Sequence, residues 1–290
     1  MKLGYPCINR SVGCTANSTF RLASYSQANL IEKVSNNLEC LHTILKYNVL
    51  NNMFFFRISS DLVPFASHPV LDFNWQEHFK DKFREIGDYI KKHNIRISMH
   101  PDQFVLINSS SEDIFKKSIA DLTWHCEVLD LMKLDETAKI QIHVGGIYGD
   151  KVSAMERFIK RYNTLPEFIK KRLVIENDDK LYSLKDCLSI SKKIGIPIVF
   201  DSFHHVCLNN GEEMSNALKM ASETWSQKDG ILMVDYSSQE PDAKFGKHAE
   251  HIDIDDFKKF LNARKDLDFD IMLEIKDKEK SALKAIKLIK

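Results

Sequence analysis

No stretch of this 290-residue chain approaches the roughly 20 consecutive apolar residues that cross a bilayer. The opening MKLGYPCINR meets Pro6 and Arg10 before the apolar centre of a signal peptide could form. Neither a membrane partner nor a secretory leader is therefore expected. The six cysteines (Cys7, Cys14, Cys40, Cys126, Cys187, Cys207) contain no CxxC pair, which argues against a zinc knuckle or a disulfide framework and for a reduced, cytoplasmic setting. Formal net charge is +0, so a surface coated in non-specific nucleic-acid affinity is excluded. Charge is nonetheless uneven: Lys2, Arg10 and Arg21 precede the first acid, and the tail from Lys276 is rich in lysine. No repeat, low-complexity tract or linker divides the sequence, so a single domain over residues 1–290 is expected. GxGxxG is missing after the first strand, and GGIYG at 145–149 lacks the spacing and lysine of a P-loop, so no organic nucleotide cofactor is expected.

What the chain does contain is alternation. Apolar runs that read as buried parallel strands fall at 2–6, 53–58, 95–99, 139–144, 172–176, 196–201, 231–236 and 270–275. Helical patterns lie between them at 27–48, 75–93, 111–134, 151–170, 183–194, 211–224, 253–264 and 277–289. Ser111 and Ser183 are placed to cap helix starts, and Gly195-Ile-Pro197 closes one helix before the next strand. One unbroken series of βα units, in a chain of 43% hydrophobic residues, predicts an α/β fold closed as a (β/α)8 TIM barrel.

Six of those runs end on a residue that water or a metal must satisfy. They are His100, His143, Glu176, Asp201, Asp235 and Glu274, and a barrel gathers its strand ends at one face. His204, three residues past Asp201, and His248, in the loop after the seventh strand, extend the set; His205 and His251 beside them are disfavoured. Nitrogen and oxygen donors without a cysteine suit Mn²⁺, Zn²⁺ or Fe²⁺. Eight candidates exceed the needs of one ion, so two or three ions per chain are expected, with Glu176 and Glu274 as bridging candidates. Such a centre serves phosphodiester hydrolysis or sugar isomerisation about equally.

Longer blocks separate these readings. GYPCINRSVG at 4–13, FRISSDLVPFASHP at 56–69, SMHPDQFVLINS at 98–109, QIHVGGIYGDK at 141–151, LVIENDD at 173–179, FDSFHH at 200–205 and GKHAEHID at 247–253 together resemble the UV-damage endonuclease family. That resemblance implies a TIM barrel holding divalent metals, manganese foremost with zinc or magnesium as alternatives. It implies incision of damaged double-stranded DNA immediately 5′ to a photoproduct, by a metal-activated water that leaves a 3′-hydroxyl and a 5′-phosphate. Carried over, the metal ligands are His100, His143, Glu176, Asp201, His204, Asp235, His248 and Glu274, and His68, Glu176 and Tyr5 become catalytic candidates. Gln103 and Phe104 correspond to the pair pushed into the duplex where the lesion is extruded, and Asn9 and Arg10 lie on the expected DNA side. A monomer associated with the nucleoid is the expected working form.

The chain also departs from that family. HPDQF stands in place of HPGQY, losing a tyrosine hydroxyl but keeping a ring. Met233 replaces a lysine that can be carbamylated to help bind metal, and Asp235 replaces an imidazole. Three rivals follow: an abasic-site endonuclease on the same barrel, a sugar isomerase, and a lesion-binding protein whose catalytic site has decayed.

Overall fold

The computed structural model describes residues 1–289. Eight short strands are each followed by helix: β1 (Leu3–Pro6), β2 (Phe55–Ile58), β3 (Arg96–Met99), β4 (Lys139–His143), β5 (Leu173–Glu176), β6 (Ile198–Asp201), β7 (Leu232–Tyr236) and β8 (Phe269–Leu273). All pair in parallel and in chain order, and β8 returns to β1 to close the barrel. The predicted fold is therefore correct, and the strand ends stand within a few residues of the apolar runs.

Around the barrel lie α1 (Gln27–Leu50), α2 (Trp75–His78), α3 (Lys80–Lys92), α4 (Glu112–Leu131), α5 (Lys151–Tyr162), α6 (Glu167–Lys170), α7 (Leu184–Ile194), α8 (Ser202–Cys207), α9 (Met214–Ser222), α10 (Ile254–Ala263) and α11 (Glu279–Ala285). Two predicted helices are broken. The 75–93 pattern is interrupted at Phe79, and the 151–170 pattern stops at Tyr162 because Pro166 cannot continue it and instead starts α6. Helix α8 is an addition: the expected turn after Asp201 is a short helix. Ser111 and Ser183 cap α4 and α7 as expected, Ser183 in a reciprocal capping box with Asp186. Among the described residues no helix is long and apolar enough to cross a membrane.

The barrel interior follows the two-residue period of its strands. Phe55, Val174, Val199, Met233 and Met272 form a fully buried apolar plug. Two residues further along the same strands come Arg57, Glu176, Asp201, Asp235 and Glu274, a polar layer at the C-terminal mouth. Below the plug, Arg96 pairs with Asp270 at 2.9 Å. The plug forces every charge above it to find its partner within the layer or beyond the mouth. Gly4 is required for closure, since a Cβ there would fall 1.6 Å from the Phe55 carbonyl oxygen.

Cys14 and Cys40 form a disulfide, contrary to the expectation that no such bridge would be present. The bond ties the segment after β1 to α1. Spacing could not reveal it, because the two residues meet only once that segment folds back onto the helix.

Candidate metal centre and nucleic-acid face

Glu176 is the hub of the mouth. Register places His143 of β4 opposite Glu176 of β5, and Asp201 of β6 opposite Asp235 of β7. Asn177 ties the ends of β5 and β6 together: its side chain donates to the Asp201 carbonyl at 2.9 Å and accepts from the Asp201 N–H at 3.0 Å. Asp201 then caps α8 by accepting from the His204 N–H at 2.7 Å, which turns the His204 ring toward Glu176. Two triads result, His100/His143/Glu176 and Glu176/Asp201/His204, with the donor atoms of each within 4.8 Å of one another. Glu176 belongs to both. Its Oε2 lies 3.4 Å from His100 Nε2 and 3.6 Å from His143 Nε2, and its Oε1 lies 3.1 Å from His204 Nδ1.

Neighbouring carbonyls orient two of these rings. His100 Nδ1 donates to the Pro101 carbonyl at 2.8 Å and leaves Nε2 as the nitrogen that faces Glu176. His248 Nδ1 likewise donates to the Glu274 carbonyl at 3.2 Å. Two buried polar atoms of the cluster have no hydrogen-bond partner, Asp201 Oδ2 and His143 Nδ1. Only the His204 ring nitrogen, 3.4 Å away, approaches Asp201 Oδ2, and a buried carboxylate oxygen without a hydrogen bond gains from a closer cation. Together with the sulfur-free donor set, this orphan oxygen fits a divalent metal.

Three of the eight predicted ligands stand apart from the triads. His248 and Glu274 form the rim, with Nδ1 to Oε2 at 3.9 Å and the His248 ring 5.8 Å from that of His204. Asp235 is already taken. Both its carboxylate oxygens accept from Arg57 Nη2 at 2.7 Å, and Gln141 donates to one of them. Arg57 reaches Glu274 through Nη1 and the Gln141 side-chain amide oxygen, Oε1, at 2.9 Å through Nη2. Burial and the surrounding acids push the Asp235 carboxyl up, against the pull of Arg57. Glu274 is held down to about 2, where Arg57 outweighs burial. Sequence reasoning missed Arg57 and Gln141. The signal was there, since each is a polar residue inside an apolar strand at inward spacing.

The nucleic-acid candidates divide. Asp102, Gln103 and Phe104 sit at the tip of a tight turn closed by Val105 N–H to the Asp102 carbonyl at 3.0 Å, between buried Pro101 and Val105. Phe104 is 73% exposed, only four residues from His100 of the first triad. Tyr148, half-exposed in the turn after β4, lines the same cleft as Gln103 and was not anticipated. His68 is exposed; its Nδ1 accepts from the Val70 N–H at 3.0 Å, so Nε2 carries the proton that faces outward. Arg10 is exposed, with its Nε on the Lys276 carbonyl at 3.1 Å. Tyr5 and Asn9, in contrast, are buried and committed elsewhere. The Tyr5 ring packs on the outer side of β1 against Phe56, its hydroxyl donating to Asn48 and accepting from Asn9 at 2.7 Å. Asn9 Oδ1 accepts from the N–H groups of Ser11 and Val12. The structure brings neither residue to the metal cluster, and both shape the loop that carries Arg10.

The family model for UV-endonuclease UvdE matches residues 1–290. The chain belongs to that family. A UV DNA damage endonuclease of Clostridium perfringens is 41% identical over 292 residues, covering 100% of this chain and 71% of the relative. One from Bacillus cereus (strain B4264) is 38% identical, covering 95% of this chain and 93% of the relative. The crystal structure of SacUVDE superposes with a TM-score of 0.95 at 46% identity, covering 100% and 98% of the two chains. Endonuclease IV from Thermus thermophilus, at TM-score 0.57 and 12% identity over 86% of this chain and 92% of that one, shares the fold. D-psicose 3-epimerase does so too, at 0.56 and 11% over 86% and 92%.

Proton competition at this UvdE-family centre has a defined sign. Burial opposes charge on His204, but Asp201 and Glu176 push it up to about 11; Glu176 raises His100 in the same way. A metal binding here would have to displace these protons, so its affinity would rise with pH, by about tenfold per pH unit for each proton released. Calorimetric titration of Mn²⁺ at pH 7 in buffers of different ionisation enthalpy is expected to show release of at least one proton per chain. Heats independent of buffer would contradict this reading.

Proposed function

We propose that this chain incises duplex DNA immediately 5′ to UV photoproducts, in a metal-dependent hydrolysis that leaves a 3′-hydroxyl and a 5′-phosphate. The observation that carries this reading is the juxtaposition of two triads sharing Glu176 with an exposed Gln103-Phe104 tip on the segment that follows the ligand His100. The two triads would hold divalent ions, manganese foremost, which when bound would supply Lewis-acid stabilisation of the phosphodiester and an activated water.

The remaining work falls to side chains of this chain. His100, His143, Glu176, Asp201 and His204 hold the centre, with His248 and the free oxygen of Glu274 at its rim. His68 presents an outward N–H suited to a phosphate oxygen. Arg10 offers a guanidinium to the backbone, where contacts position the duplex without reading sequence. Photoproducts weaken stacking and pairing, so extruding them costs less than extruding normal bases. Phe104 then stacks in the gap and Gln103 hydrogen-bonds to orphaned base edges. The enzyme acts as a monomer at the DNA, in the cytoplasm.

An abasic-site endonuclease is the second reading, favoured only by the shared barrel. Incision of one duplex carrying a cyclobutane dimer is expected to exceed incision of the matched abasic duplex. The reverse order would move the assignment to abasic sites. A sugar substrate would give an exposed aromatic wedge at the mouth nothing to do.

A further inference from the structure

Four carboxylates crowd the mouth, and they are not equivalent. Glu176 and Asp201 face histidines, and Asp201 keeps an orphan oxygen. Asp235 is engaged at both oxygens, each accepting from Arg57 and one also from Gln141, and the residue is fully buried. Arg57 is 3% exposed and spans the gap from Asp235 to Glu274 Oε1. Beneath it lies the apolar plug containing Met233, which offers no donor from below. A guanidinium cannot be deprotonated in a protein, so this cation is permanent.

We propose that Arg57 occupies the Asp235–Glu274 side of the cluster as a built-in monovalent cation, so that Asp235 positions Arg57 instead of ligating metal and the chain binds two divalent ions, not three. The inference rests on the metal-dependent reading above and sharpens it. A third ion on this side would sit beside a permanent cation and would have to break the contacts of Arg57 to Asp235. Glu274 keeps a role at the rim because only its Oε1 is paired with Arg57.

Metal stoichiometry tests this without recourse to activity. The purified chain, equilibrated with excess Mn²⁺ and desalted, is measured by elemental mass spectrometry, and Mn²⁺ affinities by calorimetry. The wild type is expected to hold two ions. Asp235→Asn is expected to hold two as well, with affinities within about threefold, because a positioning residue is not a ligand. Arg57→Gln frees Asp235 and is expected to gain a third ion. If Arg57→Gln does not fold, the wild type and Asp235→Asn decide the matter. Three ions in the wild type, an ion lost in Asp235→Asn, or a folded Arg57→Gln that stays at two would each overturn the proposal while leaving the metal-dependent reading intact. A wild type that binds no divalent metal would overturn both.

Discussion

Glu176→Gln is expected to reduce incision of irradiated plasmid to background, a loss of about 10³-fold or more. The substitution keeps the shape of the side chain and removes the one charge that both triads share. Both carboxylate oxygens are in use, Oε2 toward His100 and His143 and Oε1 toward His204. An amide offers one acceptor where two are needed and turns an N–H₂ toward a cation or toward imidazole donors. Metal stabilisation of a transferring phosphoryl group is worth several kcal/mol, and every 1.36 kcal/mol is tenfold in rate. Burial opposes charge on Glu176, but His143, His100 and His204 hold it well below the usual carboxylate range, so it is ionised at neutral pH. The variant is expected to fold, since removing a buried charge relieves its desolvation, and circular dichroism checks this. Activity within tenfold of wild type in a folded Glu176→Gln would place the chemistry elsewhere.

Phe104→Ala is expected to weaken binding and incision of lesion-containing duplex by about 10- to 100-fold while leaving unfolding unchanged. Stacking of a base on an aromatic ring contributes about 1–3 kcal/mol, which sets that range. At 73% exposure the ring contributes little to the fold, so a urea melt should superpose on that of the wild type. Fluorescence anisotropy with a single-photoproduct duplex and its undamaged counterpart reads the effect, which is expected on the damaged duplex alone. A residue that served only packing would give the opposite pattern, with lower stability and unchanged affinity for damaged over normal DNA.

The barrel and most of its centre were legible because both follow one short-range rule. A buried parallel strand reads as an apolar run, and a ligand at its end breaks the run. That logic located His100, His143, Glu176 and Asp201, and the spacing of Asp201 and His204 placed both on one triad. It could not foresee the partner of Asp235, because a strand-end acid looks the same whether it faces a metal or an arginine. The partner that decides lies 178 residues away on β2, and Arg57 meets Glu274 across 217 residues. Pairings of that range depend on barrel closure and leave no mark in local periodicity. The Cys14–Cys40 bridge escaped because the segment after β1 must first fold back onto α1. Tyr5 came as a catalytic candidate by resemblance alone, and the register gives its place: Gly4 pairs with Phe55 of the interior plug, which turns Tyr5 outward to Phe56. The wedge pair was a matter of resemblance, and exposure of Phe104 gives it a physical basis.

The most direct test of the account is end-mapping on a duplex with one cyclobutane dimer at a known position, incubated with the Mn²⁺-loaded chain beside the undamaged duplex. One nick is expected immediately 5′ to the dimer, ending in a 3′-hydroxyl, abolished by EDTA and lacking on the undamaged duplex. Equal incision of both duplexes, or cleavage that persists in EDTA, would contradict it.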